Sequence, residues 1–152
     1  MEPVPRSVAP SPALPSHDTP YYRNVRIAVR DGALSVSDSA GNLHLLKADA
    51  LAWVTAPAMR TRLLVLGEGG VVLADIDGDG WDVDELDDFG DAVGVPLVEE
   101  AYADAMTARA AYPLPPGALR IHAKETAAIV LQFLPVLIPV VVIIVLAVIF
   151  GT

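Results

Sequence analysis

The fold of this chain is decided by the stretch VRIAVRDGALSV at residues 25–36. In its first half, three apolar residues alternate with two arginines and an alanine, and this period of two is typical of a strand with one buried face. Asp31-Gly32 follows, which is a strong signal for a two-residue hairpin turn. Leu34 and Val36 then continue the alternation. The stretch therefore predicts a β-hairpin.

Short apolar runs continue beyond this hairpin and are separated by turn residues. A polar turn spans Ser37 to Asn42, and a glycine-rich turn spans Gly67 to Gly70. None of the runs has a helical period, so each is predicted to be a strand. In chain order the predicted strands cover residues 25–30, 34–36, 43–46, 51–54, 62–66 and 71–74.

One amphipathic helix is predicted after the strands. Asp82 is followed three residues later by an acid, which is the spacing of a capping box. Leu86, Phe89 and Val93 lie on one helical face, and Gly94 stands where helices commonly end. We expect a helix from about residue 82 to residue 93.

The segments on either side of this core are expected to be less regular. Residues 1–20 contain six prolines and no apolar period, which predicts a disordered arm. Residues 98–126 are expected to form a juxtamembrane linker, with an Ala-rich helix from Glu99 to Ala111 and a stiff Pro-rich stretch after it. The β domain then covers residues 21–97.

Strands in tandem hairpins followed by one amphipathic helix resemble a bacterial pleckstrin-homology-like (PH-like) domain. The resemblance implies a bent, barrel-like sheet closed at one end by the helix, and small actinobacterial membrane proteins often join such a domain to transmembrane helices. The expected fold class is therefore mainly β: a small PH-like bent sheet or barrel with a C-terminal amphipathic helix, plus one C-terminal transmembrane helix. The residues that carry the resemblance are 25–32, 34–36, 63–66, 71–74, and Trp81 leading into Leu86, Phe89 and Gly94-Val95-Pro96.

The same resemblance bears on lipid binding. Lipid-binding members of the family use a long, basic first hairpin loop, whereas the corresponding turn here is Asp31-Gly32, which is short and acidic. We therefore expect no specific lipid headgroup as a ligand.

A transmembrane helix is predicted from residue 127 to residue 150. These 24 residues carry no charge, and Gln132 is the one strongly polar member. At about 1.5 Å per residue the helix reaches about 36 Å, enough for a hydrocarbon core of about 30 Å. A domain this small cannot surround a helix that is apolar on every face. The lipid bilayer is therefore one predicted partner.

The flanks of this span predict its orientation. Arg109, Arg120 and Lys124 precede the span, and Gly151-Thr152 follow it. Positive charge is enriched on the cytoplasmic side, and no N-terminal export signal is visible. We expect a single-pass, tail-anchored protein of the cell (inner) membrane with its N-terminal domain in the cytoplasm.

The charge of the chain restricts its partners. The formal net charge is −9, and 15 acids face six bases between Tyr21 and Glu100. Such a domain repels nucleic acid and anionic headgroups, so we expect no nucleic acid partner. The chain contains no cysteine, which excludes disulfides and Cys-ligated metal centres. A basic partner, or simple solubility, explains the negative charge.

One acidic stretch supports an alternative. Asp75, Asp77 and Asp79 open like a D-x-D-x-D-G calcium loop, and Gly80 follows them. The twelfth position should carry a bidentate Glu but carries Leu86. A turn between a strand and a helix explains the same residues, so no metal site is predicted. Divalent-metal (calcium) sensing through Asp75–Asp79 remains the alternative function.

No catalytic constellation is visible in the sequence. His17, His44 and His122 have no companions at ligand spacing, and Trp53 and Trp81 are expected to anchor the core. We expect neither an enzyme nor a cofactor. The predicted function is a tail-anchored membrane protein that presents an acidic cytosolic PH-like domain to a membrane or cytosolic protein, as an accessory or scaffold subunit.

Overall fold

The computed structural model describes residues 7–12 and 19–123, and within these ranges the chain is mainly β, with its strands in two sheets. All six predicted strands are present, with small shifts at their ends. The elements are β1 (Ser7–Val8), α1 (Pro20–Asn24), β2 (Arg26–Arg30), β3 (Ala33–Ser37), β4 (Leu43–Leu46), β5 (Ala50–Thr55), β6 (Arg62–Leu66), β7 (Val72–Asp77), α2 (Val83–Val93), β8 (Leu97–Ala101), α3 (Ala105–Ala111) and β9 (Leu119–Ile121).

The first sheet contains β1 to β4 in chain order, and all neighbours are antiparallel. Arg30 pairs with Ala33, so two residues form the turn between β2 and β3. These are Asp31 and Gly32, whose φ angles are 52° and 78°. Positive φ at both central residues is what a type I′ hairpin turn requires. The predicted hairpin is confirmed.

The second sheet has the order β8-β5-β6-β7-β9. Its three central strands form the predicted antiparallel meander, with a turn at Gly67–Gly70. Each edge strand runs parallel to its neighbour, β8 beside β5 and β9 beside β7. The sheet is therefore wider than the sequence patterns indicate.

The two edge strands correct the prediction of a linker over residues 98–126. The predicted helix from Glu99 to Ala111 is wrong in its first part, because Leu97–Ala101 is β8 and the helix α3 begins at Ala105. The physical reason is long-range pairing: the open edges of β5 and β7 offer unpaired backbone groups, and bonding to them outweighs local helix propensity.

The N-terminal segment also departs from the prediction. Ser7 and Val8 pair with β2, and Val8 is 5% exposed. The backbone N–H of Ser11 donates to the carbonyl oxygen of Gly80 at 2.7 Å. The prediction of a disordered arm over residues 1–20 is thus wrong for residues 7–12, because backbone pairing and apolar burial hold them. Residues 1–6 and 13–18 lie outside the described ranges.

Two hydrophobic cores lie on opposite faces of the second sheet. The first core contains residues of both sheets and of α2, and the second contains Ala108 of α3. Successive residues of β6 alternate between them: Leu63 and Val65 join the first core, Leu64 and Leu66 the second. Burial on both faces explains why this strand is a continuous apolar run.

Helix α2 begins and ends where the sequence predicts. The side chain of Asp82 accepts hydrogen bonds from two backbone N–H groups of the first turn, at 2.9 and 3.2 Å. Gly94 follows the helix in the left-handed conformation, with φ 75°. Leu86 and Phe89 are fully buried against the first core. The predicted amphipathic helix is confirmed.

A glycine inside α2 allows the chain after the helix to pass close by. A Cβ atom placed on Gly90 would lie 2.5 Å from the carbonyl oxygen of Val95, which is closer than real Cβ atoms approach. Only glycine fits at this crossing, although glycine is an unfavourable residue inside a helix.

A buried chain of hydrogen bonds connects α1 to the end of β7. The indole N–H of Trp81 donates to the hydroxyl of Tyr21 at 2.9 Å, and that hydroxyl donates to the backbone carbonyl of Asp77. Burial raises the pKa of Tyr21 well above its ordinary range. Trp81 is 8% exposed and Trp53 packs partly buried against the same core, so both act as core anchors, as predicted.

Among the described residues, no helix is long and apolar enough to cross a bilayer. The predicted span at residues 127–150 lies outside those residues.

Candidate functional site

The three aspartates of the alternative calcium site, Asp75, Asp77 and Asp79, do not form a metal-binding cluster. Asp75 and Asp77 belong to β7 and are each 3% exposed, whereas Asp79 lies in an exposed turn. Within residues 7–12 and 19–123, no three His, Asp or Glu side chains come together in a way that could hold a metal ion. The described geometry therefore does not favour divalent-metal sensing.

Arginines neutralise the two buried aspartates. Arg62 donates through Nε and Nη2 to the two carboxylate oxygens of Asp75, at 3.1 and 3.2 Å. The side chains of this pair are 10% and 4% exposed. Arg60 donates to Asp77 at 2.9 Å from the segment before β6. The positive charges beside both carboxylates would repel a metal cation.

The register of the β6–β7 hairpin creates the buried ion pair. Arg62 pairs with Asp77 and Leu64 pairs with Asp75, so Arg62 and Asp75 are diagonal neighbours on one face of the sheet. The sequence analysis missed this pair. Its signal was a basic residue at the start of one apolar run and an acid directly after the next, with a short glycine-rich turn joining the two runs.

Arg62 keeps a hydrogen-bond donor that its partner does not use. Its Nη1 atom is buried and has no hydrogen-bond partner among the described residues. A guanidinium group carries five N–H donors, and a buried donor without an acceptor costs about 1–3 kcal/mol. Such a donor in a native fold requires an explanation.

A pocket of about 520 Å³ lies beside this ion pair. It opens on the face of the second sheet that is turned away from the first core, and we call it the outer pocket. Its apolar wall contains Met59, Tyr112 and Leu114, which also pack against the second core. The pocket thus combines an apolar wall with a charged floor.

Basic side chains dominate the charged part of the outer pocket. Arg60, Arg62 and Arg109 line it together with Asp75 and His122. The Nε2 atom of His122 lies 3.8 Å from a carboxylate oxygen of Asp75. This pocket is a locally positive concavity in a chain whose net charge is −9.

The carboxylate of Glu100, next to the pocket, raises the pKa of two tyrosines. The hydroxyl of Tyr102 donates to Glu100, and this bond raises the pKa of Tyr102 to about 12. Burial raises the pKa of Tyr112, and a hydrogen bond to Glu100 adds to the effect. Of these two tyrosines, Tyr112 lines the outer pocket, and its hydrogen bond with Glu100 brings a carboxylate close to the pocket.

The second charged feature is the solvent side of α2. Leu86 and Phe89 are buried on one side of the helix, and exposed acids occupy the other. The sequence contains no lysine or arginine from Leu63 to Ala108, so no basic residue interrupts this surface along the chain. We call it the acidic face, and it consists of Asp84, Glu85, Asp87, Asp88 and Asp91.

The histidines do not form a common site in the described residues. His44 lies 3.0 Å from Asp38 within the β3–β4 connection, and this hydrogen bond lowers the pKa of Asp38 to about 2. His122 lines the outer pocket, and His17 lies outside the described ranges. The pairing of His122 with Asp75 was not visible in the sequence, because β9 was not predicted.

Comparison with protein-family models, with curated protein sequences and with solved structures gives no significant match to this chain.

Proposed function

We propose that this protein is a single-pass membrane protein that holds an acidic, cytoplasmic PH-like domain at the inner face of the cell membrane. There the domain binds a protein partner, as an accessory or scaffold subunit. The observation that carries the proposal is the acidic face of α2, a rigid and exposed surface of a single charge sign.

The tether is argued from residues 127–150. Their 24 uncharged residues have the length and hydropathy of a transmembrane helix. Arg109, Arg120 and Lys124 precede them, and such residues favour the cytoplasmic side. A tether also reduces the affinity that the domain itself needs, because it keeps the domain close to other membrane proteins.

The PH-like assignment is argued from the order of the elements. Six antiparallel strands, β2 to β4 and β5 to β7, are followed directly by the amphipathic helix α2. This is the order on which the resemblance rests. The parallel edge strands β8 and β9 are additions beyond that order.

The chemistry of the partner follows from the acidic face. Helix α2 is fixed by Leu86, Phe89 and the Asp82 cap, so its carboxylates are presented on a rigid scaffold. A surface of one sign attracts the opposite sign and increases the rate of encounter, and salt weakens both effects. We therefore expect a partner with a basic surface and an association that weakens as ionic strength rises.

The partner is tested by recovering the intact chain from native membranes and identifying the proteins that co-purify. In the test variant, four acids of the acidic face become amides: Asp84→Asn, Asp87→Asn, Asp88→Asn and Asp91→Asn. The matched control removes the same number of charges at exposed acids outside α2: Asp31→Asn, Asp49→Asn, Glu68→Gln and Glu99→Gln.

We expect a basic protein with the wild-type chain and with the control, and its recovery should fall at least about tenfold with the test variant. Equal recovery with both variants would mean that the acidic face is not the contact surface. Circular dichroism of each variant checks that the fold is retained.

The tether has a separate test. The full chain should stay in the membrane fraction after alkaline carbonate extraction, and a chain lacking residues 127–152 should be soluble and folded. If the truncated chain still sediments with membranes after a salt wash, a second attachment exists and the proposed architecture is incomplete.

A further inference from the structure

We propose that the outer pocket binds a small organic monoanion, namely a carboxylate group attached to a compact apolar body. The site is separate from the acidic face of α2, and the inference does not depend on the proposed protein contact. It rests on the charge of the pocket, on the unpartnered donor of Arg62 and on the composition of the walls.

The charge of the pocket favours an anion. Arg60, Arg62 and Arg109 provide three guanidinium groups, and Asp75 and Asp77 provide the two carboxylates that Arg62 and Arg60 contact. Of the acids, Asp75 lines the pocket together with the three arginines, so positive charge is in excess among the lining residues. An anion is therefore attracted to the pocket and a metal cation is repelled.

The donor of Arg62 gives the site its chemical preference. Arg62 lines the pocket, is 8% exposed as a residue, and is fixed in place by its two bonds to Asp75. Its Nη1 atom has no acceptor among the described residues. Since Nη1 has almost no accessible surface, a neighbouring side chain has to shift before a carboxylate bound in the pocket can accept from it, whereas the exposed guanidinium groups of Arg60 and Arg109 can donate charge-assisted hydrogen bonds without such a shift.

The apolar lining of the pocket fits an apolar body. Met59, Tyr112 and Leu114 present thioether, aromatic and aliphatic surface, and methionine adapts readily to different shapes. The volume of about 520 Å³ lies within the range of pockets for small molecules. A pocket lined both by apolar side chains and by arginines favours an amphipathic anion over a simple inorganic one.

The test uses the full chain in phosphatidylcholine nanodiscs, with empty nanodiscs as the blank, and measures ligand binding by equilibrium dialysis. The probes are benzoate, its neutral isostere benzamide, and inorganic phosphate. We expect benzoate to bind at least about tenfold more tightly than benzamide, because the two share shape and apolar area and differ in charge. Inorganic phosphate should bind more weakly than benzoate, because it lacks the apolar body.

Two variants that each remove one positive charge distinguish the pocket from the general field of the protein. Arg109→Gln changes an exposed residue that lines the pocket, so it leaves the fold intact. Arg120→Gln changes an exposed residue of β9 that does not line it. We expect Arg109→Gln to weaken benzoate binding about tenfold and Arg120→Gln to change it by less than about twofold.

The proposal would be overturned if benzoate and benzamide bound equally, or if Arg109→Gln and Arg120→Gln had equal effects on benzoate binding. It would also be overturned if benzoate did not bind at about 10 mM, the weak end of the affinity range for such small ligands. Arg62→Lys adds a second check, because lysine keeps the charge but loses the planar donor. If this variant melts cooperatively, its affinity for benzoate should fall while that for benzamide stays the same.

Discussion

Replacing Tyr21 with phenylalanine removes one oxygen atom from the first core. Tyr21 is 1% exposed, and its hydroxyl lies between the indole N–H of Trp81 and the backbone carbonyl of Asp77. Phenylalanine fills the space of the ring, so the substitution deletes two hydrogen bonds and creates only a very small cavity. Its effect therefore measures the contribution of the buried hydrogen-bond chain.

The magnitude follows from the burial of the groups left behind. Trp81 is 8% exposed, so in Tyr21→Phe its N–H loses its acceptor with little access to water. A buried polar group left unsatisfied costs about 1–3 kcal/mol. For a domain of about 100 residues, each kcal/mol shifts the melting temperature by roughly 4–8 °C. We expect a free energy of unfolding lower by about 1–3 kcal/mol and a melting temperature lower by at least about 4 °C.

The neighbouring tyrosine is the matched control. The hydroxyl of Tyr22 donates to the exposed carboxylate of Asp79 at 2.7 Å, where water can replace it. Its ring packs edge-on against that of Tyr21, with centroids 5.1 Å apart, and Tyr22→Phe keeps this contact. We expect Tyr22→Phe to change the free energy of unfolding by no more than about 0.5 kcal/mol.

The assay is urea unfolding of the chain that ends at residue 126, followed by circular dichroism and by tryptophan fluorescence. Coincident transitions establish two-state behaviour, and the two variants are compared at equal denaturant slope. If Tyr21→Phe is as stable as Tyr22→Phe, within the error of about 0.5 kcal/mol, the buried hydrogen bonds do not stabilise the fold and the reasoning is refuted.

Three further predictions concern the second helix, acid stability and calcium. Gly90→Ala should lower the urea midpoint of unfolding, because the added Cβ would clash with the backbone carbonyl of Val95. Alanine by itself favours a helix by about 1 kcal/mol relative to glycine, so a higher midpoint would contradict the close approach of Val95 to Gly90. By NMR, Asp38 should titrate near pH 2, below its ordinary pKa of 3.8. The substitution His44→Gln should raise the pKa of Asp38, and an unchanged value would exclude His44 as the cause of the shift. Because the folded pKa is lowered, Asp38 stabilises the protein above about pH 4, and this contribution is lost as the pH falls towards 2. Millimolar calcium should leave the melting temperature unchanged, because arginines already contact the carboxylates of Asp75 and Asp77. A rise of several degrees that is abolished when these aspartates are replaced by asparagine would support calcium sensing instead.

Local features of the fold were readable in the sequence because nearby residues determine them. Asp31-Gly32 tolerates the positive φ angles of a tight turn, so the first hairpin follows from two residues. Asp82 and Gly94 satisfy the ends of α2 through contacts within one turn. The mainly β class, the six central strands and the amphipathic helix were predicted for this reason.

The candidate site was less predictable because distant segments build it. Asp75 was visible as an acid, and the sequence pattern favoured a turn between a strand and a helix, with calcium binding as the alternative, whereas the hairpin register gives it Arg62 as a partner. The outer pocket adds Arg109 from α3 and His122 from the segment after β9, and no local period relates these residues. Only three-dimensional proximity defines the pocket.

By itself the sequence determined the turns, the capped helix, the strand faces and the placement of the negative charge, since each depends on residues a few positions apart. The tertiary structure alone decided the parallel edges Leu97–Ala101 and Leu119–Ile121, the close crossing at Gly90 and the burial of the ion pair. Parallel pairing joins strands that lie far apart in the chain, and its backbone hydrogen bonds are nearly independent of side-chain identity. Packing of the whole domain therefore had to select these contacts, because no short stretch of residues specifies them.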